Sequence, residues 1–175
     1  MQSKGFLLSM LAERHPMSEQ HPGPADFNAH VIAEFRANGG RVGGMFEGAS
    51  LVLLTTVGAR TGRPRTNPVV RASDGDRTLI FASNAGGPNH PDWYHNLLAW
   101  PQVAVEVGID DAGRAVVETY AAEAIPLAGA ERDRLFAAQC DRDPAFAVYQ
   151  AGTSRVIPVV ELRRIETAAT DEDRA

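Results

Sequence analysis

Residues 51–68 read LVLLTTVGARTGRPRTNP, and the fold follows from how this stretch divides. An apolar run with β-branched Thr and Val, 51–57, predicts a strand, and a second extended run predicts another over 66–72. Between them Arg60, Arg63 and Arg65 fall on a turn that Gly58, Gly62 and Pro64 hold in special backbone conformations. Such a turn suits an anion. An ordinary hairpin whose arginines only solvate its tip is the alternative that the stretch alone leaves open.

Working outward towards the C-terminus, a third strand is predicted over 77–83, and Ser73-Asp74-Gly75-Asp76 is a tight-turn signal that pairs it antiparallel to the second. Three strands thus form a meander before a long helix can cross over, which argues against a parallel α/β sheet. The loop NAGGPN, 84–89, leads into a short helix that Pro91 and Asp92 start and Pro101 closes, with Trp93, Asn96, Leu97 and Trp100 at helical spacing, its apolar members against the sheet. A fourth strand covers 103–107, a turn follows at Asp110, Asp111 and Gly113, and a fifth strand covers 115–124. A helix over 126–139 begins at Pro126 and buries Leu127, Ala130, Leu135 and Phe136. A shorter one over 144–151 carries Phe146, Val148 and Tyr149, and the last strand, 156–162, contains Pro158, which suggests an edge or a bulge.

Working outward towards the N-terminus, Asp26 caps a helix over 27–37 with Phe27, Ile32 and Phe35 near one face. Gly39, Gly40, Gly43 and Gly44 then form a flexible connection onto the sheet. They precede no Lys-Ser/Thr and follow no strand, so they are neither a Walker loop nor a dinucleotide fingerprint. The domain spans 25–163, with an N-terminal arm over 1–24, an alternative start at Met17, and an acidic, disordered tail over 164–175. The class is α+β with six strands and flanking helices. Pattern alone does not choose between a barrel and a sandwich.

At 175 residues the chain makes one domain with a sizeable core, and its net charge of -5 argues against nucleic-acid binding, which needs a basic field. Of seventeen basic residues only Lys4 is a lysine, so sixteen are arginine, the side chain suited to bidentate recognition of phosphate and carboxylate. Cys140 is the only cysteine, which rules out an intrachain disulfide or a Cys-rich metal cluster. No apolar run approaches the roughly 18 residues of a membrane span, and residues 5–11 make a poor signal peptide, so a cytoplasmic location is expected.

The histidines give no metal site: His90 and His95 are five apart, off the four-residue spacing of a helical zinc pair. There is no G-x-S-x-G. What remains is a site for a large anionic ligand. In a meander the first and third strands run in the same direction, so the arginine turn and the 84–87 loop leave the sheet on one side. At Gly86 and Gly87 no Cβ keeps a flat ring from the backbone. Taken alone, GGPNHP is a strand-to-helix connector.

The segments LLTTVGARTGRPRTNPVV, DGDR, FASNAGGPNHPDWYHNL and SRVIPVVEL, in this order across residues 27–162, resemble the deazaflavin-dependent nitroreductase family of split-β-barrel proteins. The resemblance implies a six-stranded antiparallel split barrel, the cofactor F420, and homodimers. It implies a basic contact to the cofactor phosphate from Arg60, helped by Thr61 and Gly62, with Arg65 holding phosphate or the glutamyl tail and Arg63 a further contact. Thr56, Asn67 and Pro68 complete that wall. Ser83, Asn84, Ala85, Gly86 and Gly87 match the segment lining the ring, and Trp93 and Asn96 match the W-Y-x-N helix signature, Trp93 having packing as its simpler role. Related proteins often carry Lys-Gly-Gly where Asn84-Ala85-Gly86 stands, and some have Tyr where Val70 and Phe146 align, which puts turnover of nitro drugs in doubt.

The implied activity is an F420-dependent oxidoreductase that transfers a hydride to a quinone, nitroaromatic or activated alkene, with Ser83 or Tyr149 donating a hydrogen bond to the acceptor. An FMN-dependent oxidoreductase on the same barrel and a non-catalytic deazaflavin or quinone binder are the alternatives. A quinone acceptor would bring the protein near a membrane surface, although no amphipathic anchor is evident.

Overall fold

The structure, a computed structural model, describes residues 23–166. The elements are α1 (Pro24–Ala37), β1 (Leu51–Val57), β2 (Pro64–Asp74), β3 (Arg77–Phe81), α2 (Asp92–Ala99), β4 (Gln102–Asp111), β5 (Arg114–Pro126), α3 (Gly129–Arg142), α4 (Ala145–Ala151) and β6 (Val159–Arg164). All strand pairs are antiparallel and close a barrel in the order β1-β2-β3-β6-β5-β4, with β1 also pairing β4. That settles barrel against sandwich. Most of the arm and most of the tail lie outside the described residues.

The run LVLL is apolar throughout because β1 is buried on both faces. Val52 and Leu54 point into the barrel with Val69, Ile80, Val105 and Val160, while Leu51 and Leu53 pack outward under Val31 and Phe35 of α1. On the far side α3 and α4 cover Leu79, Phe81 and Val159 with Leu135, Phe136 and Phe146. The β2–β3 hairpin turns at Gly75, whose φ is +61°, and pairs Asp74 with Arg77 as its turn signal predicts.

Several expectations are corrected. Gly23, not Asp26, precedes α1; Pro24 needs no N–H at the start, and Asp26 sits in the first turn, where its charge complements the helix dipole. The glycine connection is packed rather than loose. A Cβ at Gly39 would lie 2.5 Å from the Ala115 carbonyl carbon, and one at Gly40 would overlap Gly108. Arg36 clamps the same helix to β4 by two bonds to Glu106, at 2.8 and 2.6 Å. Pro126 does not start a helix: it ends β5 opposite Val160, where a missing N–H costs nothing, and α3 starts at Gly129, leaving Ala130 exposed. Pro158 precedes β6 instead of interrupting it, its carbonyl accepting from Ala82 N–H at 3.0 Å. Trp100 and Val148 are exposed, at 55% and 69%: Trp100 follows the end of α2 in extended geometry, off the helical spacing expected of it, and Val148 lies off the buried side of α4.

Arg71 pairs with Ile80 across the β2–β3 ladder, so it shares the inward face with Val69. Its Nε is buried without a hydrogen-bond partner among the described residues. An unmet buried donor costs on the order of 1 kcal/mol or more. Arg71→Met, which keeps the unbranched stem out to the position of Nε and removes the donor, is therefore expected to raise stability by about 1 kcal/mol in urea unfolding. A lower midpoint would mean that the guanidinium contributes net stability.

Candidate functional site

β1 and β2 are joined by a turn that folds back on itself. Gly58 N–H donates to the Arg63 carbonyl at 2.8 Å, Gly62 N–H to the Gly58 carbonyl at 2.8 Å, and Arg63 N–H to Thr61 Oγ1 at 3.3 Å. Gly62 has φ +64°, and a Cβ at Gly58 would sit 2.5 Å from Thr61 Oγ1, so both glycines are steric requirements. Asn96 of α2 holds the turn from below. Its Oδ1 accepts from Ala59 N–H at 2.9 Å and its Nδ2 donates to Thr56 Oγ1 at 3.1 Å, Thr56 being 1% exposed.

A cavity of about 760 Å³ opens beside this turn. Gly58, Arg60, Thr61, Arg65, Asn67 and Asn96 line one side, and Asn28, Ala29 and Ile32 of α1 supply the other. Asp92 and His95 of α2 also reach it, so two guanidinium groups face the single carboxylate of Asp92 and the cavity favours an anion. Of the residues expected here the structure brings together Arg60, Thr61, Arg65, Asn67 and Asn96. Arg63, Gly62 and Pro68 lie off the lining, Thr56 acts beneath it through Asn96, and Trp93 is a packing residue in the barrel core at 7% exposure. The α1 wall was not legible, because the apolar period of a helix does not say which of its polar neighbours will overhang a turn.

Ser83, Asn84, Ala85, Gly86 and Gly87 form a second group. They leave the C-terminal end of β3, the end of the barrel at which β1 delivers the arginine turn, but do not line the same cavity. Asn84, Ala85 and Gly86 take φ of 46°, 48° and 77°, a left-handed run closed by Gly86 N–H to the Ser83 carbonyl at 3.0 Å and Gly87 N–H to the Asn84 carbonyl at 2.8 Å. Left-handed geometry costs a residue with a Cβ on the order of 1 kcal/mol. The loop lies against α4: a Cβ at Gly86 would come within 2.9 Å of the Tyr149 carbonyl oxygen and one at Gly87 within 3.1 Å of Asn84, so the side expected to stay open to a flat ring is filled by the chain itself. Ser83 and Tyr149 are thus on neighbouring segments, both half-buried.

Arg155, to which the sequence assigned no role, reaches this loop from the segment before β6. It donates to the carbonyls of Ser83 at 2.6 Å, Ala82 at 3.0 Å and Gly87 at 3.0 Å, and its Nη1 lies 2.9 Å from His90 Nδ1. Burial first, then the Arg155 and His95 charges, push the His90 pKa below its ordinary 6.5. Neutral His90 accepts from Arg155 at Nδ1 and carries its proton at Nε2.

Near pH 6 the folded chain therefore binds fewer protons at His90 than the unfolded chain does. Stability from this group is complete above 6.5 and is lost as the pH falls through that value towards the lower folded one. His90→Gln, whose amide oxygen can also accept from Arg155, is expected to lose less stability than the wild type between pH 7 and 5. Parallel unfolding midpoints for the two chains would contradict this.

Comparison with known proteins supplies the remaining observations. Residues 28–163 match the family model described as F420H(2)-dependent quinone reductase. An F420H(2)-dependent quinone reductase of Mycobacterium tuberculosis is 38% identical over 150 residues, covering 83% of this chain and 95% of that protein. Among solved structures, the F420-H2 dependent reductase FDR-A aligns with a TM-score of 0.51 at 33% identity, over 65% of this chain and 94% of that one. Another, described as a domain-swapped dimer, aligns with a TM-score of 0.54 at 31% identity, over 77% of this chain and 93% of that one.

Proposed function

This chain belongs to the F420H(2)-dependent quinone reductase family, and from that premise we propose that it binds reduced F420 and passes a hydride to a quinone. The observation that carries the reading is the cavity beside the arginine turn. Its volume of about 760 Å³ lies within the range of cofactor pockets, and Arg60, Thr61, Arg65 and Asn67 give it donors suited to a phosphate and an acidic tail. The donor set fits the cofactor. The family match gives no support to FMN.

When bound, reduced deazaflavin supplies the hydride from a ring carbon. This chain's own residues then have binding and orienting tasks, and no catalytic base is needed. Arg60 and Arg65 hold the anionic end, Asn96 and Thr56 keep the turn in place, and the Ser83–Gly87 backbone lines the ring. Ser83 and Tyr149 donate hydrogen bonds to the acceptor oxygen as negative charge grows on it, a contribution of roughly 3 kcal/mol for a preorganised donor.

The family match supports a quinone, and with it a position near a membrane surface, over polar substrates. Among the described residues no helix is long and apolar enough to cross a membrane. Nitroaromatics and activated alkenes are secondary acceptors in this reading, with Val70 and Phe146 at positions where some relatives place tyrosines. The domain-swapped neighbour supports a homodimer.

The deciding experiment is a fluorescence titration with F420, followed by an acceptor screen with the reduced cofactor. Absence of binding at micromolar protein would dismiss the proposal, and binding without reduction of any quinone would make the chain a carrier.

A further inference from the structure

We propose that Arg155 is a positioning residue that holds the 83–87 loop in its left-handed path and locks it to the helix carrying Tyr149. The inference rests on the cofactor reading above only for its kinetic consequence; the clamp itself is a property of the chain. One guanidinium, half-buried, meets the loop at three points: the carbonyls of Ala82 and Ser83 before the left-handed residues and that of Gly87 after them. It spans the strained run like a staple, with Asn84 at φ 46° and Ala85 at φ 48° between its ends.

The staple is itself anchored. The Arg155 carbonyl accepts from Gln150 Nε2 at 2.7 Å, and Ile157 N–H donates to Gln150 Oε1 at 3.0 Å, so α4 grips the segment at Arg155 and two residues beyond it. Arg132 of α3 braces the same place with bonds to Gln150 Oε1 at 3.1 Å and to the Ile157 carbonyl at 2.6 and 2.9 Å. Ala82 N–H to the Pro158 carbonyl closes the circuit at 3.0 Å. A loop proposed to line the ring and a helix proposed to face the acceptor are therefore set by one bracket, and the distance between them depends on Arg155. Lysine cannot replace it, because an ammonium lacks the planar fork that reaches several carbonyls at once.

The test uses Arg155→Lys, Ala85→Gly and the double variant in the full-length chain. Ala85 is exposed, so its methyl makes no buried contact, and glycine adopts its φ without the Cβ penalty. Arg155→Lys is expected to speed amide exchange at residues 84–87 about tenfold and to lower kcat with a simple quinone such as menadione about tenfold, with a smaller change in the KM for the quinone. Adding Ala85→Gly should return both to within about threefold of wild type. General destabilisation would instead speed exchange throughout the barrel and not selectively at residues 84–87. Unchanged loop exchange in Arg155→Lys, or a double variant no better than the single one, overturns the proposal. Should Arg155→Lys not fold, Arg155→Gln takes its place, alone and with Ala85→Gly: faster loop exchange restored by the glycine upholds the clamp, and unchanged exchange overturns it. A wild-type chain that does not bind F420 would remove the cofactor reading, while loop exchange would still decide the clamp.

Discussion

Replacing Arg60 and Arg65 together with alanine is expected to weaken F420 binding by roughly 10²–10⁴-fold. Each side chain lines the cavity beside the turn, and only Asp92 opposes them there. A charge-assisted hydrogen bond contributes about 1.5–3 kcal/mol, so losing two reaches this range if they act independently. Both arginines are exposed and belong to neither the barrel core nor the ion pairs of the described residues, so unfolding midpoints should move by less than about 0.5 kcal/mol. Arg63 provides the comparison. It lies on the same turn but off the cavity, and Arg63→Ala should change affinity no more than about twofold. A fluorescence titration of the variants decides the matter: equal losses from Arg63 and Arg65 would mean that the anion is held by general charge and not by this cavity.

Asn96→Ala should produce the largest loss of stability at the site, roughly 2–4 kcal/mol, or about 5–15 °C in Tm. The side chain is buried and both its ends are used, one by Ala59 N–H and one by Thr56 Oγ1. Truncation leaves a buried hydroxyl and a turn amide without partners, and that penalty exceeds the modest net value of the bonds themselves. F420 affinity should fall as well, because Ala59 precedes Arg60 and the turn loses this tie to α2. A variant with wild-type Tm would show that water replaces the amide without cost.

The parts of the fold legible in the sequence are those governed by local rules. Strand periodicity located β1, β2 and β3, and Asp74-Gly75-Asp76 gave a hairpin, because both signals act within a few residues. Proline was ambiguous at Pro126: it suits a first helical turn and a strand end equally, since both dispense with the N–H. The flexible reading of Gly39 and Gly40 failed because their neighbours, Ala115 and Gly108, are distant in the chain.

The same division runs through the site. Arg60, Thr61, Arg65, Asn67 and Asn96 carry their signal in the turn and the α2 motif, and the cavity gathers them. Arg155 stands 65 to 73 residues from its partners, so the SRVIPVVEL segment marks its place in the family without telling it from a surface charge. Its partners are mostly backbone carbonyls, which leave no residue-type signal at all.

The seat of α1 on the barrel bears on how the pocket could be altered. Gly39 and Gly40 meet Ala115 and Gly108 backbone to backbone, and Arg36 fixes the helix to Glu106 nearby. The seat of α1 is therefore set at its C-terminal end by main-chain contact and along its length by Val31 and Phe35 on Leu51 and Leu53. Asn28 and Ala29 on the facing wall can then be varied without moving the wall, so specificity for the anionic end of the ligand is adjustable there independently of the fold. The glycines are the opposite case: alanine at Gly40 would drive its Cβ into the Gly108 backbone and force the end of the helix off β4.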